Sequence, residues 1–180
     1  GCSFKCGPLA VNTLKNLTLT KGLGVDPIIE NAKSTAEGTT LAQVKEWSDK
    51  LGLKYQIAKR SPGAEVITPC VMHWKLDHFA ALVGKDKKGY HLKDPTFDID
   101  AQSWITADVI EKETDGYFLI PASEALPAGW TEVSAEEAST VRGKGEALWR
   151  NGYNPGCTVP SSSGGGCGCV KCPLPPKPCG

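Results

Sequence analysis

The chain has 180 residues, and its 20 Lys and Arg balance its 20 Asp and Glu, giving a formal net charge of zero at pH 7. Without a basic excess or run, a nucleic acid is not an expected partner, and no apolar stretch is long enough to be a membrane-spanning helix. The length fits one domain with extensions, and we expect the chain to be a piece of a longer protein.

The stretch Cys6–Ala10 predicts the start of a helix that has a thiol at its N-terminus. Pro8 suits the first helical turn, and Ala10, Leu14 and Leu17 recur at helical spacing. The free amides and the dipole of a helix N-terminus favour an anion, which favours a reactive thiolate. A small buried apolar cysteine fits the same pattern, so this stretch alone leaves both interpretations open.

Two further helices are predicted before residue 53. Asp26 and Pro27 have the pattern of a cap and first turn, and they predict a second helix that ends near Gly38. Thr40 starts a capping box for a third helix, whose buried stripe runs through Leu41, Val44, Trp47 and Leu51. The first third of the chain is therefore predicted to be helical.

Beyond this point the pattern changes to short β-branched or aromatic runs between turn residues. These runs predict the strands Tyr55–Ala58, Cys70–His73, His78–Val83, Tyr90–Lys93 and Tyr117–Ile120. A short helix around Ser103–Lys112 is expected before the last strand. Helices followed by a meander predict an α+β fold, with the N-terminal helices packed against an antiparallel sheet.

The domain is predicted to cover residues 1–121, followed by an extension at 122–154 and a Ser/Gly/Pro/Cys-rich tail at 155–180. In the extension, Ser134–Glu137 could cap a modest helix that runs toward Trp149. Five of the eight cysteines lie in the tail, where disulfides or free thiols are favoured over a metal site. The run Gly164–Gly166 is most simply a hinge, with self-cleavage there as the alternative.

A thiol nucleophile needs a base, and the chain has three histidines. His73 and His91 lie within apolar runs and are expected to be packed or hydrogen-bonded strand residues. His78 opens a strand, and a hairpin with the next strand would bring it beside Asp94. Pro95 holds Asp94 extended. Asp77 ranks second as the partner of His78, because sequence neighbours point to opposite faces of a strand.

At this point the sequence resembles a known family. Cys-Gly-Pro-x-Ala at Cys6–Ala10, His-Phe-x-x-Leu at His78–Leu82 and Asp-Pro at Asp94-Pro95 look like the papain-like cysteine peptidases that cleave double-glycine leader peptides, the bacteriocin-processing group, and their bacterial relatives. The similarity covers about residues 1–121. It implies a papain-like α+β fold and peptide-bond hydrolysis through a thioester. It also implies Cys6 as nucleophile, His78 as general base and acid, and Asp94 as the residue that orients His78.

The chain departs from the family pattern in two places. Family members carry a Gln shortly before the nucleophile, and residues 1–5 contain none; Lys5 stands where leader-processing members usually have an acidic residue. An upstream Gln, Ser3 or the backbone N–H of Cys6 could supply the oxyanion donor. Cys2 could pair with Cys6 or react in its place. The alternative function is a non-catalytic relative that binds a peptide or neighbouring domains in the same cleft.

The resemblance implies a polypeptide substrate, with the parent chain itself as one option. No cofactor and no metal are expected at the catalytic site, and the isolated domain is expected to be a monomer. The sequence does not fix the compartment; a secreted or cell-surface position within a larger protein is one option.

Overall fold

The computed structural model describes residues 6–18, 24–32, 38–75, 77–93 and 102–143. Three sequence-based expectations lie outside the described residues and stay predictions: the role of Cys2, the position of Asp94 and the state of the tail at 155–180.

In its described residues the chain has five helices and nine strands. The helices are α1 (Cys6–Thr18), α2 (Pro27–Glu30), α3 (Leu41–Lys50), α4 (Ala107–Glu113) and α5 (Ala135–Ala138). The strands of the described chain are β1 (Thr39–Thr40), β2 (Tyr55–Arg60), β3 (Cys70–Trp74), β4 (His78–Asp86), β5 (Gly89–Lys93), β6 (Gln102–Ile105), β7 (Thr114–Pro121), β8 (Trp130–Glu132) and β9 (Arg142–Gly143).

Seven of these strands form one antiparallel sheet in the order β6-β5-β4-β3-β7-β2-β8. The other two strands, β1 and β9, form a separate antiparallel pair. Helices α1 and α3 cover one face of the large sheet, and α4 lies on the opposite face. The predicted α+β fold is confirmed.

Helix α3 begins where the sequence predicts, because Thr40 and Gln43 form a reciprocal capping box. Its buried stripe includes Leu41, Val44 and Trp47. Helix α2 is only one turn long, although Asp26 caps it as expected. The expectation that this helix continues to near Gly38 is wrong, because the helix ends at Glu30 and Asn31 is its C-terminal cap.

The predicted hairpin between β4 and β5 is present. Its pairs run from Ala81 with Lys93 to Asp86 with Gly89 at the turn. Gly89 has a φ of 121°, a conformation that favours glycine, which explains its place at the end of the turn.

Two expected helices differ from the observed ones. The helix expected around Ser103–Lys112 begins later, because Thr106 caps α4 through the Val109 amide and the residues before it form β6. The helix expected to run toward Trp149 ends at Ala138. Ser134 caps it as anticipated, but the chain then turns and forms β9.

The large sheet separates two hydrophobic clusters because side chains alternate along its strands. The cluster on the α1 side includes Cys6, Val71, Phe79 and Leu119. The cluster on the α4 side includes Cys70, Met72, Trp74, Phe118 and Trp130. The two faces thus hold one buried cysteine each.

Candidate active site

Cys6 is the first residue of α1, as the sequence predicts, and it carries a free thiol. Only 1% of its surface is exposed, and it belongs to the same buried cluster as Phe79 and Ala81 of β4. The first amides of an α-helix have no partner within the helix, so they favour negative charge on a group at this end. The position suits a nucleophilic thiolate.

Gly7 allows β1 to approach the start of α1 closely. A Cβ atom at Gly7 would lie 2.8 Å from the Thr39 hydroxyl oxygen, closer than side chains normally pack. The Thr39 hydroxyl is buried and has no hydrogen-bond partner among the described residues. A polar group that is buried in this way beside a helix N-terminus is a candidate hydrogen-bond donor to a bound group.

His78 is the first residue of β4 and is fully buried. It pairs across the sheet with Trp74 of β3. Along β4, Phe79 and Ala81 pack in the cluster of Cys6, whereas Ala80 and Leu82 pack on the other side. Side chains alternate along a strand, so His78 starts β4 on the side of Ala80 rather than on the side of Phe79. A direct contact between His78 and the Cys6 thiol therefore stays a prediction.

Asp77, the second-ranked partner of His78, precedes β4 in a left-handed conformation with a φ of 55° and is exposed to solvent. The preferred partner, Asp94, follows β5 directly and is outside the described residues. The hairpin register places the end of β5 opposite Ala81, three residues from His78.

His73 of β3 makes hydrogen-bond contacts through both ring nitrogens. Nδ1 lies 2.7 Å from Asp115 Oδ2 on β7, and Nε2 lies 2.6 Å from the Arg142 carbonyl oxygen. Its ring also packs 4.9 Å from that of Phe79, on the side of the sheet that holds Cys6. The expectation of a hydrogen-bonded strand residue agrees with this geometry, but no local pattern predicted the carboxylate partner.

His91, the third histidine, lies away from Cys6 on β5. Its ring stacks on Trp104 at a centroid distance of 4.6 Å. Lys88 Nζ lies over the Trp104 ring, 4.4 Å from its centroid. These three side chains lie on β5, on β6 and in the turn between β4 and β5, and they contribute no group to the site at Cys6.

The site is covered by β9. A Cβ atom at Gly143 would lie 2.9 Å from Cys6 Sγ and 2.8 Å from Phe79 Cε2. Only a glycine can therefore occupy this position while the strand keeps its place. The sequence analysis did not foresee this contact.

Two kinds of site have no support in the described part of the chain. No three His, Cys, Asp or Glu side chains of these residues are grouped to hold a metal ion. None of the described helices has the length and apolar character needed to cross a membrane.

Comparison with known proteins identifies the family. The family model described as the Peptidase C39 family matches residues 3–125, about two thirds of the chain. A search of curated proteins found no match. Among solved structures, the chain is similar to a double glycine motif protease from an AMS/PCAT transporter, solved in complex with the leader peptide. The identity is 20%, the TM-score is 0.52, and the match covers 65% of this chain and 84% of that one. The chain belongs to the peptidase C39 family of papain-like cysteine peptidases.

Proposed function

We propose that this peptidase cleaves a polypeptide with Cys6 as nucleophile, His78 as general base and acid, and Asp94 as the residue that orients His78. The observation that carries the proposal is the thiol of Cys6 at the N-terminus of α1, within the region that the family model matches. All three residues lie in that region, in the order that the family motifs have.

In the proposed reaction, His78 takes the thiol proton and the sulfur of Cys6 attacks the scissile carbonyl carbon. A C–S bond forms, and the C–N bond breaks as the imidazolium returns its proton to the leaving amine. Water then attacks the thioester while His78 accepts one of its protons. The C–S bond breaks, and the products are a free carboxylate and the restored thiol.

The oxyanion that forms on the carbonyl oxygen needs hydrogen-bond donors. One candidate is the backbone N–H of Cys6, and Ser3 or an upstream Gln remain candidates for a second. The buried Thr39 hydroxyl beside Gly7 adds another, because it has no partner among the described residues and lies at the same helix end. Removal of one such donor typically slows an enzyme by about 100- to 1000-fold.

For the substrate, we propose a peptide with two consecutive glycines. The support is the likeness to a double glycine motif protease that was solved with a leader peptide. The parent chain is a second source of such a sequence, since residues 164–166 are three glycines.

A binding module that uses the same cleft without hydrolysis is the rival proposal. One observation favours it: only 1% of the surface of Cys6 is exposed. A peptide that binds but is never cut would support this rival.

The test is cleavage of a synthetic peptide that contains Gly-Gly, followed by mass spectrometry. We expect the full chain to cut it and Cys6→Ala to lose activity by on the order of 10⁴-fold or more, because the nucleophile is gone. Cys70→Ala is the matched control, since Cys70 is a buried free cysteine on the other face of the sheet. Equal loss in both variants, or binding without cleavage, would contradict the proposal.

A further inference from the structure

The segment Val141–Gly143, named here the strap, lies directly against the thiol of Cys6. Gly143 packs against both the Cys6 sulfur and the Phe79 ring so closely that a Cβ atom has no room. A reacting carbonyl carbon must come within about 3–3.5 Å of the sulfur that attacks it. The strap and a substrate therefore compete for the same space.

The backbone of the strap is held as an added strand. It pairs antiparallel with β1, Thr39 opposite Gly143 and Thr40 opposite Arg142. The Leu41 amide, at the start of α3, donates to the Val141 carbonyl at 2.8 Å. This hydrogen bond satisfies one of the free amides of that helix terminus.

His73 holds the middle of the strap from the opposite side. Its Nε2 lies 2.6 Å from the Arg142 carbonyl oxygen, while Nδ1 lies 2.7 Å from the Asp115 carboxylate. The contact with Asp115 on β7 fixes the orientation of the His73 ring. In this orientation Nε2 faces the Arg142 carbonyl of the strap.

Apart from these hydrogen bonds, little apolar contact holds the strap in place. Val141 is the one apolar side chain of the strap, and it is buried in the α1-side cluster. The preceding helix α5 has a single turn, tied to the sheet by a 2.6 Å hydrogen bond from the Tyr117 hydroxyl to Glu137. A segment with so few buried apolar contacts opens at a lower free energy than the core of the sheet.

From these contacts we infer that the strap is an autoinhibitory segment, which keeps Cys6 closed to substrates until residues 141–143 leave β1 and His73. The inference rests on the proposed role of Cys6 as nucleophile. It predicts that cleavage by the full chain is limited by the fraction of molecules in which the strap is open. A change that removes the strap therefore raises reactivity at Cys6, the opposite of the usual effect of a disruptive substitution.

The test is the rate at which iodoacetamide labels Cys6 in the full chain, followed by peptide mapping. In Gly143→Val, the new side chain would collide with Cys6 and Phe79, so we expect labelling at least about tenfold faster, as for a local opening that costs ~1.4 kcal/mol less. Gly84→Val is the matched control, because the Cβ position of this β4 glycine has no atom within 4 Å. A second variant, Val141→Asp, should also speed labelling, because it places a charge at the buried position of the Val141 side chain.

Three results would overturn the inference. The first is labelling of Cys6 that is no faster in either variant than in Gly84→Val. The second is an equal rise in the labelling rate of Cys70, which indicates global unfolding. The third is a cut between Gly143 and Lys144 in the untreated chain, which would make the segment a substrate. Labelling does not require catalysis. Faster labelling without peptide hydrolysis would therefore contradict the proposed function but still support the inference that the strap covers Cys6.

Discussion

The two buried cysteines on opposite faces of the sheet differ in what covers them. Cys70 lies in β3 among apolar side chains that include Met72 and Trp74, and burial raises the pKa of its thiol. Cys6 is equally buried, but it begins a helix and is covered by the three-residue strap. Two thiols that are equally buried can therefore differ in the free energy needed to expose them.

The two covers should open through different events. Exposure of Cys70 requires β3 to leave the centre of a seven-stranded sheet, which amounts to unfolding the domain. If the strap is the cover of Cys6, as we infer, exposure of Cys6 requires only the release of β9 from β1 and His73. Local openings of this kind have free energies well below that of global unfolding.

The largest effect that this comparison predicts is the difference between the two labelling rates in the native chain. We expect iodoacetamide to label Cys6 at least about 1000-fold faster than Cys70, because each ~1.4 kcal/mol between the two opening free energies is a factor of ten. Time-resolved mass spectrometry of the two cysteine peptides measures both rates in one sample. Comparable rates would mean that the strap is as stable as the core.

A smaller effect is expected from an ion pair on the far face. Glu111 of α4 binds the Arg60 guanidinium and accepts the Gly63 amide at 2.9 Å. These hydrogen bonds, the one from Arg60 first, lower the pKa of Glu111 from its usual 4.5. Because the folded value is the lower one, the stabilisation is present above pH 4.5 and is lost as the pH falls through the folded value.

We therefore expect Glu111→Gln to reduce the free energy of unfolding at pH 7 by about 1 kcal/mol, a modest amount because a third of the Glu111 side chain is exposed. The loss should shrink as the pH falls below 4.5 toward the lower folded pKa of Glu111. Urea unfolding across this pH range measures the change, and labelling of Cys6 serves as the control. A Cys6 rate that changes as much as the stability would show that the two faces are not independent.

Local sequence signals predicted the parts of the fold that depend on near neighbours. The capping box of α3 needs only Thr40 and Gln43, and the β4-β5 hairpin needs only two alternating runs and a turn. Cys6 was recognised because a thiol, a glycine and a proline at a helix start are adjacent in the chain. Each of these signals lies within one short, continuous stretch of the chain.

The strap and the partner of His73 could not be predicted in this way. Thr39 and Gly143 pair across more than a hundred residues, and Val141–Gly143 is too short to show a period. Asp115 reaches His73 only because β7 lies beside β3, although α4 and three strands separate them in sequence. Ser134 signalled a helix correctly, but nothing local marked its end at Ala138.

The pH dependence of Cys6 alkylation in two histidine variants tests the central claim most directly. An ordinary thiol, with a pKa near 8.5, is only roughly 0.3% thiolate at pH 6. If His78 is the base, His78→Ala should slow alkylation at pH 6 on the order of 100-fold. His73→Ala should instead speed it, because the Arg142 carbonyl loses the ring nitrogen that contacts it. The opposite result, slower alkylation in His73→Ala and no change in His78→Ala, would contradict the account and make His73 and Asp115 the base and its partner.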